Sequence, residues 1–163
     1  NFEVTNSTFI DCFSDGLDSD FSTGSIINSK FKNIGNDSID FSGSSANIEK
    51  VSMLNIGDKG ISAGEESLIQ IQDINIDQAN IGLVSKDNSS LNGEGIIIEN
   101  STIALSAYNK KSWFGSARLI LNKVEITNAN NNYLIEEGST LRIDSNQLKS
   151  NGINVYEKLY GIN

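Results

Sequence analysis

The residues best suited to chemistry are aspartates that recur at a fixed interval. Asp15 and Asp37 lie 22 residues apart, as do Asp18 and Asp40; Lys59 follows Asp37 at the same interval, and Asp20 lies two residues after Asp18. Carboxylates in this number allow general acid–base work, cation binding through several oxygens, or a plain solvated acidic face. The catalytic candidates are Asp15, Asp37, Lys59 and Lys86. The metal candidates are Asp18, Asp20 and Asp40, and Ca²⁺ is the ion whose flexible oxygen coordination suits them. A protein with no cofactor fits the same residues. Like charges stacked about 4.8 Å apart repel, so a cation, a lysine or a raised pKa must relieve them. Lys59 stands where it would relieve Asp37. A third candidate set is aromatic. Tyr108, Trp113 and Phe114 fall within one polar segment, Tyr108-Asn109-Lys110-Lys111-Ser112-Trp113-Phe114-Gly115, which holds the only Trp. Rings on a protruding loop stack on sugar faces or anchor a protein partner; folded back, they extend a core.

Much else is excluded. The chain of 163 residues has no His, so histidine triads, histidine general bases and His-ligated metals are absent. Its formal charge of −9 repels phosphate backbones and anionic membrane surfaces, so nucleic acid is a poor partner. A neutral sugar, a cation or a basic protein surface is compatible. Cys12 is alone, which rules out an intrachain disulfide and makes it a small buried hydrophobe. No apolar run approaches the ~20 residues of a membrane-spanning helix. Seven Phe, four Tyr and a steady supply of Ile, Leu and Val argue for a core.

The elements that must position these residues follow from periodicity. Leu17, Ile39, Ile61 and Leu83 are each separated by 22 residues. A second column reads Val4, Ile26, Ile48, Ile71, Ile98, Leu121, Ile143. A third reads Phe9, Phe31, Met53, Ile76, Ile103, Ile126, Leu148. A fourth reads Cys12, Ile34, Ile56, Ala79, Ser106, Ala129, Asn151, with steps of 22, 22, 23, 27, 23 and 22, so one coil is longer, at Gly93-Glu94-Gly95. Within a coil the apolar residues alternate: Leu17, Ser19 and Phe21 face one way, Asp18 and Asp20 the other. That is strand periodicity, and Asn, Gly, Asp and Ser separate the short strands. A unit this small cannot bury its own apolar face, but stacked units can. The expected fold is all-β: a single-stranded right-handed parallel β-helix, a solenoid of about seven coils of ~22 residues, forming one domain over 1–163. Asn6, Asn28, Lys50, Asp73, Asn100, Asn122 and Ser145 form an expected turn column, since Asn and Asp accept left-handed backbone and bond locally. Coil one has no covering element, which points to excision from a longer chain and to upstream coils or domains as partners. Tyr156, Leu159, Tyr160 and Ile162 could cap the last coil.

These repeats resemble the pectate-lyase-like superfamily of right-handed parallel β-helices, over nearly the whole chain. Closer still are motifs of polygalacturonase type. Phe13-Ser14-Asp15-Gly16-Leu17-Asp18, Gly35-Asn36-Asp37-Ser38-Ile39 and Asp58-Lys59-Gly60-Ile61-Ser62-Ala63-Gly64 look like its first three motifs, with Val84-Ser85-Lys86 at the fourth. The resemblance implies an acid–base site at Asp15, Asp37 and Lys86. It also shows departures: the family's general acid is Asn36 here, its His is Lys59 and its substrate-binding Arg is Val84. Inverting hydrolysis needs a protonated acid and separate carboxylates that activate water, which this set does not supply. The expectation is therefore a non-catalytic β-helix module of a secreted or cell-surface bacterial protein, a rigid scaffold that binds a polysaccharide or a protein surface. The alternative is a uronan hydrolase, lyase or epimerase acting through the acidic columns.

Overall fold

The 22-residue recurrence folds as stacked parallel coils. The computed structural model describes residues 1–161, a β-solenoid of about six turns with only 4% helix. In chain order the strands are β1 (Phe2–Thr5), β2 (Thr8–Cys12), β3 (Leu17–Asp20), β4 (Thr23–Ile27), β5 (Lys30–Ile34) and β6 (Ile39–Ser42). They continue as β7 (Ser45–Gly64), β8 (Leu68–Lys86), β9 (Ser90–Glu99), β10 (Ile103–Tyr108), β11 (Arg118–Thr127), β12 (Asn131–Ile135), β13 (Thr140–Ile143) and β14 (Asn146–Gln147), followed by helix α1 (Val155–Tyr160). The long strands β7 and β8 run around whole coils.

Three faces result. The first stacks β1, β4, β7, β8, β9, β11 and β13. The second carries β2 and β5 onto the middle of β7 and β8. The third carries β3 and β6 onto the end of β7, then the end of β8, β10 and β12. The pairing is in register, so Leu17, Ile39, Ile61, Leu83, Leu105 and Tyr133 form one inward ladder. Phe9, Phe31, Met53, Ile76, Ile98 and Ile126 form another. The Phe9 and Phe31 rings stack 4.6 Å apart with planes 2° from parallel. Burying such stacked aliphatic and aromatic side chains is the main driving force.

Several sequence expectations need correction. Ile98 belongs to the Phe9 ladder, and the first-face ladder passes instead through Gly93, opposite Ile71 and Leu121. A Cβ on Gly93 would lie 2.2 Å from the Ile71 side chain, which is why glycine stands there. Gly93-Glu94-Gly95 is therefore no insertion. The step of 22 holds through it, and the longer step of 28 falls later, between Asn100 and Asn128 and between Ser106 and Leu134. The extra residues follow Tyr108, which still pairs with Lys86 at the step of 22, and fall in the Asn109–Gly115 stretch. Ile103 and Ser106 accordingly move to the third face, opposite Ile81 and Val84. A seventh coil is begun but not completed: β14 turns back antiparallel on β13, and the Leu148 N–H donates to the Leu141 carbonyl.

The corners show why the sequence is so rich in Asn and Ser. Asn6, Asn28, Lys50 and Asp73 turn one corner with φ near +50°, and Gly95 and Lys123 continue it. Asp11, Asn33, Asn55, Gln78, Asn100 and Asn128 turn the next. Asn100 thus sits one corner further on than the spacing suggests, and Lys123 takes the turn assigned to Asn122. Neighbouring side chains bond along these columns, the Asn33 amide donating to the Asp11 carboxylate and the Asn55 amide to Asn33 Oδ1. A third corner holds a buried serine ladder. The Ser22 N–H donates to Ser44 Oγ, Ser44 N–H to Ser67 Oγ and Ser67 N–H to Ser89 Oγ, each at 3.0 Å.

Helix α1 packs on a flank, not over the end of the last coil. Val155 is fully buried among Ile81, Val84, Ile103, Tyr108 and Leu134, with Ile153 and Leu159 against them. Val84, Tyr108 and Leu134 alternate with the inward ladder, so the helix covers the outer side of the third face. Asn154 caps it by accepting the Glu157 N–H at 2.9 Å. Ile162 lies outside the described residues.

Ser67→Ala removes the acceptor for the buried Ser44 N–H while leaving the hydrophobic ladders intact. Equilibrium denaturation should show a loss of about 1–3 kcal/mol.

Candidate functional site

The corner leading into the third face gathers the acidic residues. Asp15 Oδ1 accepts the Asp37 N–H at 2.9 Å and the Asn36 side-chain amide at 2.7 Å. One coil on, Asp37 Oδ1 accepts the Lys59 N–H at 3.1 Å and lies 3.2 Å from Lys59 Nζ. Lys59 Nζ also pairs with Asp58. Each carboxylate is thus a rung that satisfies the peptide N–H of the coil beyond it. Asp37 is 3% exposed and Lys59 5%. Burial pushes Asp37 up to about 6, against the pull of Lys59. For Lys59 burial acts downward, but Asp37 and the Asp58 hydrogen bond outweigh it and hold the ammonium above its ordinary range. One cation thus serves two carboxylates. The Tyr160 ring closes the outer side, its centroid 5.8 Å from Lys59 Nζ.

The other candidates are dispersed. Lys86 is buried on the third face, donates to Ser62 Oγ at 2.8 Å and lies 3.6 Å from Asp40 Oδ1. The structure therefore joins Asp15, Asp37 and Lys59 in one column, and Asp40 with Lys86 in a second pair. Asp18 stacks against Asp40 in register, and its carboxyl is raised by burial and by the charges of Asp20, Asp40 and Asp15. Among the described residues, however, no group of three or more His, Cys, Asp or Glu side chains is arranged to hold a metal ion. Asp18, Asp20 and Asp40 are no exception: Asp18 and Asp20 stand exposed, while Asp40 is drawn toward Lys86. The Ca²⁺ expectation accordingly has no geometric support.

The aromatic set also divides. Tyr108 is fully buried under α1, its hydroxyl 3.2 Å from that of Tyr160, and burial raises its pKa. It is a core residue of the helix dock and does not present a binding surface. Trp113 is 76% exposed, and Phe114 is half-buried beside it, with ring centroids 6.1 Å apart.

Sequence reasoning missed the residues that hold this loop. Asp87, fully buried at φ +55°, accepts the Lys110 and Lys111 N–H groups on Oδ1, at 2.7 and 2.6 Å. Glu136 Oε2 accepts the Asn109 N–H at 2.6 Å, and Lys111 pairs with Glu65. The 22-residue spacing of Glu65 and Asp87 was visible; the return of the inserted loop onto them was not.

The raised Asp37 pKa fixes a sign. Asp37 binds its proton more tightly in the folded chain than in the unfolded one, where the value is near 3.8. Its contribution to stability is full below that value and is lost as pH rises through about 6. Denaturation of the wild type and Asp37→Asn between pH 3.5 and 7 (~3.5 units) should show the wild type losing up to about 3 kcal/mol relative to the variant. A flat difference would assign the column no titrating member.

Compared with family models, with curated proteins and with solved structures, the chain finds no match in any of the three.

Proposed function

We propose that the chain is a non-catalytic, pectate-lyase-like β-helix module that serves as a rigid scaffold and presents a binding surface to a polysaccharide or a protein. A secreted or cell-surface setting in a bacterium is part of this reading, since an acidic solenoid without histidine chemistry suits a spacer or display element. The observation that carries it is the engagement of the acidic column. Asp15 and Asp37 accept peptide N–H groups of the next coil, and Lys59 is locked between Asp37 and Asp58. A hydrolase needs a carboxyl that reaches the glycosidic oxygen and another that holds water. Here the position of the acid is Asn36, whose amide is bound to Asp15.

A second reading, a polysaccharide hydrolase or lyase, draws on one feature, the elevation of Asp37 to about 6, a value suited to an acid at neutral pH. That carboxyl is nonetheless buried and engaged by the Lys59 N–H and Nζ of the next coil.

Incubation with a panel of uronate and neutral polymers, with and without Ca²⁺, should release no reducing ends and generate no absorbance from unsaturated sugars. Product formation that Asp37→Asn abolishes would replace the scaffold reading with the enzymatic one.

A further inference from the structure

We propose that the Tyr108–Gly115 loop is a preorganised glycan-stacking site, with Trp113 as its platform and a neutral polysaccharide as its ligand. The inference rests on the scaffold reading and specifies where that scaffold binds. In a stack that otherwise repeats every 22 or 23 residues, the 28-residue coil places all of its extra chain at this one point. A solenoid tolerates insertions at corners, where they become surface loops. This loop is ordered from beneath. Asp87 takes two successive N–H groups, Glu136 takes a third, and the Phe114 N–H closes a turn onto the Lys111 carbonyl at 3.0 Å. The base is thus fixed by buried or part-buried acceptors while the tip stays in water. At that tip Trp113 is 76% exposed, although a ring of this size loses much by remaining hydrated. A rigid support lowers the ordering cost of binding to the ring.

The chemistry of the tip selects the ligand. The exposed apolar area is one indole with a half-buried phenyl beside it, far below what a stable protein interface buries. Its neighbours along the loop are polar: Asn109, Lys110, Ser112 and Ser116. A pyranose ring matches this pattern. Its C–H face lies on the indole, and its hydroxyls bond to the surrounding donors and acceptors. Charge decides between sugars. Lys111 is already paired with Glu65, and Lys110 lies over the Tyr160 ring at 5.4 Å. The remainder of the surface is acidic, with a formal charge of −9 for the chain, which repels a polyanion.

The lone tryptophan makes the test direct. Affinity gel electrophoresis and Trp fluorescence titration would use the whole chain with soluble β-glucan, galactomannan, xylan and polygalacturonate. At least one neutral polymer should retard the protein and shift its emission. Trp113→Ala should weaken that binding about tenfold or more, and Trp113→Phe should recover part of it. Circular dichroism should be unchanged in both, because the side chain is outside the core. Retention by none of the neutral polymers would overturn the proposal, as would retention that Trp113→Ala leaves intact or tighter binding to polygalacturonate. None of these results bears on catalysis, whereas release of products would sink the scaffold reading and leave the stacking site standing.

Discussion

The structure depends on how each coil satisfies the peptide N–H groups of its neighbour at the corners. Strands in register supply most of the backbone partners, and backbone bonds continue across several turns, as from the Asn6 N–H to the Ile27 carbonyl, but the Ser22, Ser44, Asp37 and Lys59 N–H groups at the corners bond to side chains instead. Side chains restore the pairing there. Serine hydroxyls do so at the third corner, through Ser44, Ser67 and Ser89, and Asp15 and Asp37 do so at the entrance to the third face. A buried N–H left without such a partner costs about as much as a lost hydrogen bond. The requirement repeats in every coil, and it holds coils of nearly constant length in step.

This requirement also determines what the acidic residues are available to do. A carboxylate whose lone pairs accept an N–H from the next coil, and whose charge is matched by a buried lysine, belongs to the framework. Buried ion pairs add little net stability, because desolvation offsets the attraction. Here the contacts that cross between coils are those of Asp37 with the Lys59 N–H and Nζ, whereas Asp58 is the neighbour of Lys59 in its own coil.

The inward ladders of coils one to four were legible because identical spacing and alternation leave only one stacking. The same arithmetic went astray after Ile76. Ile98 and Ile103 are both aliphatic, five residues apart, and either could continue the Phe9 column on hydrophobicity alone. Gly93 misled in the same place, since a glycine inside an inward ladder reads as loop until the Ile71 side chain beside it is seen. Tyr108 looked like a surface aromatic because nothing in the local sequence reveals that a helix some 50 residues later covers it; its hydroxyl contact with Tyr160 spans 52 residues. In the candidate site, the pairing of Asp37 with Lys59 followed from spacing, whereas the buried role of Asp87 required knowing where the loop lands.

One irregularity in the serine ladder has a mechanical consequence. Where the fifth serine would be expected, the coil after the loop carries Ala117, and the Ser89 N–H bonds back to the Lys86 carbonyl of its own coil. Beyond this point the ladder resumes, with the Ala117 N–H donating to Ser139 Oγ. At that corner the coils of β9 and β11 lack the serine rung, and Asp87, whose Oδ1 accepts the Lys110 and Lys111 N–H groups, takes its place. Tension along the solenoid axis would there be carried by a carboxylate and by peptide groups of the loop, such as the Asn88 N–H on the Gly115 carbonyl at 3.0 Å, so the insertion that interrupts the repeat also bridges the gap it leaves.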